Sequence, residues 1–172
     1  MRLVADHLVA LLGSAALTTG CFLSWIDLRP LERMKAAIGP VRGIVDPFAG
    51  IRGPHPVDSF ILLCVGTVAV LVAGYAALQG KPNRRFNLFY LLSGMFTVGL
   101  AYLDLKDVLS RASVSVQAFR EFSRGVQSLG ALDPLSDLGA LSFVGVGLYP
   151  TLAGGLCLVS AGAWAFLTER SV

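Results

Sequence analysis

Apolar residues are concentrated in four segments of the chain that carry no charged side chain. These segments are Leu8–Ile26, Ser59–Leu78, Phe86–Leu103 and Leu138–Thr168, the last containing a candidate span at 143–167. A helix that crosses a bilayer needs about 20 mainly apolar residues, and each segment supplies roughly this length. Because backbone groups in hydrocarbon must bond to one another, long segments without alternation predict helices rather than barrel strands.

The second segment shows why a soluble helix bundle does not fit. A soluble helix keeps polar residues on its outer face, whereas apolar residues surround this one on all sides, from Phe60 to Leu78. We therefore predict an all-α, integral membrane four-helix bundle, formed by residues 1–172 as a single domain. The predicted spans are about 8–26, 59–78, 86–103 and 143–167.

The composition narrows the function classes. Hydrophobic residues make up 55% of the 172 residues, charged residues only 15%, and the mean hydropathy is +0.70. A soluble domain usually carries about 25% charged residues. The net charge of +3 is also too small to suggest a polyanionic partner. These values exclude a cytosolic globular enzyme, a disordered chain and a nucleic-acid binder.

The distribution of Lys and Arg predicts the orientation. The most concentrated cations lie in the turn Lys81-Pro82-Asn83-Arg84-Arg85, and short cation-rich loops face the cytoplasm. We expect this turn and both termini to be cytoplasmic, in a bacterial inner or plasma membrane, with 27–58 and 104–142 as two long extracytoplasmic loops. Nine cations in those loops oppose this assignment. We expect the first segment to be a span rather than a cleaved signal peptide, because acidic Asp6 precedes it.

The second long loop contains a further helical pattern. Residues 104–124 include no Gly or Pro, and Phe119 and Phe122 share one face with Val108 and Ala112. We predict that helix 3 continues beyond the membrane to about Arg124. The alternative is a separate amphipathic helix lying on the membrane surface.

Small residues spaced four apart occur in every predicted span. In membranes such spacing lets helix backbones approach closely. Together with Phe119 and Phe122, they are the candidate packing and interaction residues: Ala16, Gly20, Ala69, Ala73, Ser93, Thr97, Gly147, Thr151 and Gly155. We also expect Pro150 to kink helix 4. Four aromatic residues near span ends fit the membrane interface, namely Trp25, Tyr102, Tyr149 and Trp164.

Candidate chemistry is sparse. No Asp, Glu, Lys, Arg or His lies inside the four core windows, which argues against an ion-coupled transporter because such proteins keep ionisable groups there. The three cysteines lie in spans and fit small apolar residues better than a redox pair. The two histidines, His7 and His55, fall on opposite membrane sides, so they cannot share a haem or metal. We expect no cofactor and no metal, with bound lipid as the compatible ligand.

Three carboxylates mark the outer ends of different predicted spans: Asp27, Asp58 and Asp104. Two carboxylates brought together could split their pKa values and carry out acid–base chemistry. The simpler interpretation makes Asp58 a helix N-cap and the other two solvated flanks.

The arrangement resembles the claudin and peripheral myelin protein family of four-span membrane proteins. Trp25, placed where helix 1 leaves the membrane, matches the Trp of that family's first outer loop, but the Gly-Leu-Trp motif and the cysteine pair of the family are absent. The run Gly145-Val146-Gly147-Leu148-Tyr149 also looks like small bacterial four-span proteins of unassigned role. The resemblance implies a topology and carries over no functional residue.

The leading hypothesis is a non-catalytic membrane protein that acts by contact. It would be an accessory or stabilising subunit of a membrane complex, or a self-associating four-span protein, with membrane lipid, other membrane subunits or itself as partners and no nucleic acid. One alternative is a passive channel or small-molecule carrier formed by oligomers. The other is a membrane enzyme that uses the outer Asp cluster.

Overall fold

The computed structural model describes residues 2–30, 32–33, 56–79, 84–126 and 139–169. These residues form four α-helices and contain no β-strand, which confirms the all-α class. The elements are α1 (Arg2–Phe22), α2 (Pro56–Gln79), α3 (Arg84–Val126), a short 3-10 helix (Ala140–Phe143) and α4 (Leu148–Glu169).

Three helices are long and apolar enough to cross a membrane. Their apolar windows are Ala5–Phe22, Asp58–Gln79 and Arg84–Gln117. In α4 the apolar segment Leu148–Trp164 is shorter. The first window lies closer to the N-terminus than the predicted span 8–26.

Helix α4 lies between α1 and α3 and runs antiparallel to both. It packs extensively on each of them, while α2 packs mainly on α1 and makes few contacts with α3. Glycines allow the close approach of α4. A Cβ on Gly154 would lie 2.7 Å from the backbone nitrogen of Leu17 in α1, and a Cβ on Gly162 would lie 2.6 Å from that of Leu91 in α3. Such backbone-to-backbone packing is how helices associate in lipid.

The predicted continuation of the third helix is present. Helix α3 runs without interruption to Val126, two residues beyond the predicted end, so the alternative of a separate helix after Leu103 is wrong. Its outer part is supported by a small apolar cluster. Phe143 of the 3-10 helix packs there against Val108, Ala112 and Val116. Burial of this face explains why α3 stays helical away from the main core.

Several predicted boundaries are wrong. The first helix ends at Phe22, because residues 23–28 turn away to pair with the segment before α4. The last helix begins at Leu148 rather than at 143. Pro150 therefore lies in its first turn, where a missing N–H leaves no helical hydrogen bond unmade. Asp58 lies inside the first turn of α2 rather than capping it.

The two predicted loops are only partly covered. Residues 34–55 and 127–138 lie outside the described residues, and His55 falls among them. Residues 104–126, predicted as part of the second outer loop, are helical. The three cysteines are free thiols, and Cys64 is exposed rather than buried.

Candidate functional site

A network of backbone hydrogen bonds joins the end of α1 to the start of α4, and we call it the α1–α4 junction. The amide of Gly145 donates to the carbonyl oxygen of Trp25 at 2.7 Å, and that of Gly147 donates to Ser24 at 2.9 Å. Ile26 and Val144 form an isolated antiparallel bridge. These bonds satisfy backbone groups of the two segments that follow α1 and precede α4.

Trp25 is the centre of the junction. Its indole Nε1–H donates to the carbonyl oxygen of Gly20 at 2.9 Å, and only 2% of the residue is exposed. The prediction of an interfacial Trp25 is therefore wrong, since the ring is a core side chain. Tyr102, Tyr149 and Trp164 are exposed, as residues of the membrane interface would be.

The small residues of α1, α2 and α4 pack inside this chain. Gly20 lies against Thr151, whose hydroxyl donates to the carbonyl oxygen of Gly147 at 2.9 Å. Ala69 and Ala73 of α2 are fully buried.

The remaining members of the set occupy α1, α3 and α4. Gly155 contacts Thr97 of α3, and Ser93 is buried one turn away. Ala16 is half-buried. Ser93, Thr97 and Gly155 therefore pack between helices of this bundle. Phe119 and Phe122 belong to α3, and their side chains lie outside the described residues.

The three candidate carboxylates have separate surroundings. Asp27 accepts hydrogen bonds from the Nε–H of Arg29 at 3.0 and 3.1 Å, and these bonds lower the pKa of the Asp27 carboxyl. A carboxyl held in its charged form is the opposite of what a general acid requires. Asp58 and Asp104 are half-buried, on α2 and α3. No group of three or more His, Cys, Asp or Glu residues within the described ranges could hold a metal ion.

A buried polar pair near the start of α1 was missed by the sequence analysis. His7 is 2% exposed and Tyr90 is 1% exposed, and their ring centroids lie 6.2 Å apart in an edge-on arrangement. Both His7 nitrogens and the Tyr90 hydroxyl are buried and make no hydrogen bond within the described part of the chain. Asn87, one turn before Tyr90, is also buried.

The position of His7 corrects the prediction that the spans contain no ionisable residue. His7 and Asp6 fall within the apolar window Ala5–Phe22, so α1 does carry ionisable residues. The spacing of His7 with Ala10, Ser14 and Leu17 on one helix face was the available signal, because the last three are buried too. The predicted first span begins at Leu8, so His7 falls outside it.

The surface of the helices is largely apolar. Leu78 of α2 is 89% exposed, and Phe60 and Leu71 are also exposed on that helix. On α3 the exposed apolar residues lie mostly on one face. They are Leu88, Leu92, Met95, Phe96, Tyr102, Leu103 and Val114.

Comparison with known proteins adds no assignment: the chain matches no protein-family model, no curated protein and no solved structure.

Proposed function

We propose that this chain is an integral, multi-pass membrane protein that acts by contact, as an accessory or stabilising subunit of a membrane complex or by self-association. All four helices would cross the bilayer, with both termini in the cytoplasm of a bacterial inner or plasma membrane. The observation that carries the proposal is α2: it packs mainly on α1, yet large apolar side chains are exposed on its opposite face.

The exposed side of α2 supports a helix-contacting role. In water such an exposed apolar surface would favour aggregation, whereas in a bilayer it faces lipid or another apolar helix. A Cβ on Gly74 would meet no atom within 4 Å, so the backbone is approachable there. The small residues Ala69 and Ala73 of α2 are buried within the chain, so a partner would meet the exposed apolar side of this helix.

The buried hydroxyls favour contact over conduction. Thr97 donates to the carbonyl oxygen of Ser93 at 2.8 Å and Thr151 to that of Gly147 at 2.9 Å, each within its own helix. A hydroxyl bonded to its own backbone offers less to a passing polar molecule. These bonds therefore support the contact hypothesis against a pore lined by Ser and Thr inside one bundle.

The contact hypothesis is tested with the native thiol on α2. Cys64 is exposed, and Cys21→Ser with Cys157→Ser leaves it as the single cysteine. A membrane-permeant bis-maleimide should give a crosslinked species of higher mass through Cys64 in native membranes. As a matched control, Cys64→Ser with Leu156→Cys places the thiol at an exposed position of α4. Equal crosslinking from both positions, or none from Cys64, would contradict the proposal.

Membrane insertion and orientation have their own tests. The protein should stay in the membrane fraction after carbonate extraction, and its release would refute the membrane assignment.

Leu141 is exposed in the 3-10 helix, so Leu141→Cys in a background without other cysteines should react with an impermeant maleimide in intact cells. Reaction only after permeabilisation would reverse the orientation.

A further inference from the structure

An apolar stripe of exposed side chains on α3 ends in a cation. Lys106 is exposed and lies on the same helix face as the exposed residues Leu88, Leu92, Met95 and Tyr102. Within the described chain its neighbour Asp107 binds Arg111 at 2.8 Å and Asp27 binds Arg29, so neither carboxylate pairs with Lys106. The stripe therefore ends in an exposed cation that neither of these two carboxylates neutralises.

The length of the stripe fits one bilayer core. From Leu88 to Lys106 the helix rises about 27 Å, at 1.5 Å per residue. The hydrocarbon core of a bilayer is about 30 Å thick. Tyr102, one turn before Lys106, would then lie at the interface where aromatic rings concentrate, and Lys106 would lie at the level of the phosphates.

A groove at this end of α3 supplies a second donor. It has a volume of about 360 Å³, and its described lining residues are Tyr102, Leu105, Lys106, Leu109 and Ser110. Ser110 is exposed and lies one turn beyond Lys106, on the same helix face. An ammonium and a hydroxyl at this spacing can both bond one phosphate group.

We propose that this groove binds an anionic phospholipid, with its phosphate on Lys106 and Ser110 and an acyl chain along the stripe through Tyr102 and Met95. The inference rests on the membrane assignment above. The chemistry favours a lipid over a protein helix, because at this end the apolar strip meets an exposed cation with a hydroxyl one turn further on, which is the complement of an amphiphile with a negative head. A cation at a membrane surface contributes about 1 kcal/mol toward anionic lipid.

The test uses purified full-length protein in detergent micelles with equal amounts of phosphatidylglycerol and phosphatidylcholine, and native mass spectrometry counts the lipids retained. The wild type should retain phosphatidylglycerol in preference to phosphatidylcholine. Lys106→Gln should lower that preference by about fivefold, the factor that corresponds to one such charge. Lys106→Arg should keep the preference, and Ser110→Ala should reduce it less than Lys106→Gln does.

Arg111→Gln is the matched control, since it removes a cation from another face of α3. Equal losses from Lys106→Gln and Arg111→Gln would show an unspecific charge effect and overturn the site, as would a wild type without preference. Displacement of the lipid by inorganic phosphate alone would also overturn it, because the acyl chain would then contribute nothing. If the protein resists carbonate extraction but shows no preference for phosphatidylglycerol, only the lipid site is contradicted. Release by carbonate contradicts the proposed function itself.

Discussion

Gly147 lies directly against the indole ring of Trp25: a Cβ at position 147 would come within 2.7 Å of Trp25 Cδ1. The same Cβ would lie 2.6 Å from the carbonyl oxygen of Leu23 and 2.8 Å from that of Gly20. Since two of these atoms belong to the backbone, they have little freedom to move. The α1–α4 junction therefore depends on glycine at this position.

Gly147→Ala should destabilise the protein by about 1–3 kcal/mol, the usual cost of overpacking. The measurement is the free energy of unfolding in detergent micelles. Gly74→Ala is the matched control, because a Cβ there meets nothing within 4 Å and alanine gains up to about 1 kcal/mol of helix propensity. Similar stability of the two variants would contradict the packing at the junction.

Replacement of Trp25 by Phe should lower stability by about 1–3 kcal/mol, because the hydrogen bond from the indole to the Gly20 carbonyl oxygen is lost and the buried volume shrinks. Trp164→Phe, at an exposed position, should cost less. The protein contains only these two tryptophans, so each variant leaves one reporter. Fluorescence of Trp25 should resist quenching by iodide and by lipid-soluble quenchers, whereas lipid-soluble quenchers should reach Trp164. Strong quenching of Trp25 would show that the ring is not a core side chain.

Phe143→Ala should lower stability by about 3–5 kcal/mol, since it removes the largest side chain from the apolar cluster on the outer part of α3. Leu141→Ala changes an exposed residue of the same 3-10 turn. Its stability should stay within about 0.5 kcal/mol of the wild type. Hydrogen exchange should show faster exchange of the 108–116 amides in Phe143→Ala alone. Unchanged exchange there would mean that α3 needs no support from this cluster.

Tyr90→Phe should stabilise the protein by about 1 kcal/mol, because it removes a buried hydroxyl that finds no hydrogen-bond partner among the described residues and so carries only a desolvation cost. In Tyr75→Phe the lost hydroxyl is exposed and accepts a hydrogen bond from Gln79, so we expect no gain. Thermal unfolding of the two variants in the same detergent decides the matter. A marked loss of stability in Tyr90→Phe would show that the hydroxyl has a partner.

The Asp27–Arg29 pair should make stability weakly dependent on pH. Hydrogen bonding from Arg29 lowers the pKa of Asp27. A carboxyl with a lowered folded-state pKa adds stability above its unfolded-state pKa, and the addition disappears as the pH falls through the folded-state value. The increment should therefore be lost below about pH 4. It should stay below about 1 kcal/mol, because the pair is exposed to solvent.

The measurement for this pair is the unfolding midpoint of wild type, Asp27→Asn and Arg29→Gln between about pH 6 and about pH 3. The unfolding midpoint of the wild type should fall on acidification because the pair is lost. Both variants should lack this contribution to the fall. Identical pH profiles for all three proteins would show that the pair contributes nothing to stability.

The sequence by itself determined the helical class and the course of α3. Both follow from local patterns: long uncharged segments favour helix, and the absence of Gly and Pro from 104 to 124 allows one helix to continue. The small residues at four-residue spacing also identified surfaces that pack closely. What the pattern could not specify was whether those surfaces would meet one another inside the chain or a partner outside it.

Only the tertiary structure decided where α1 ends and α4 begins. The continuous apolar run from Leu8 to Ile26 gave no local stop signal, yet the helix ends at Phe22, because the backbone beyond it bonds to residues 143–147. The burial of Trp25 and of His7 has the same origin, since Gly147 and Tyr90 reach them from distant parts of the chain. Periodicity reports which residues share a face, whereas the neighbour of that face is set by packing between segments far apart in sequence.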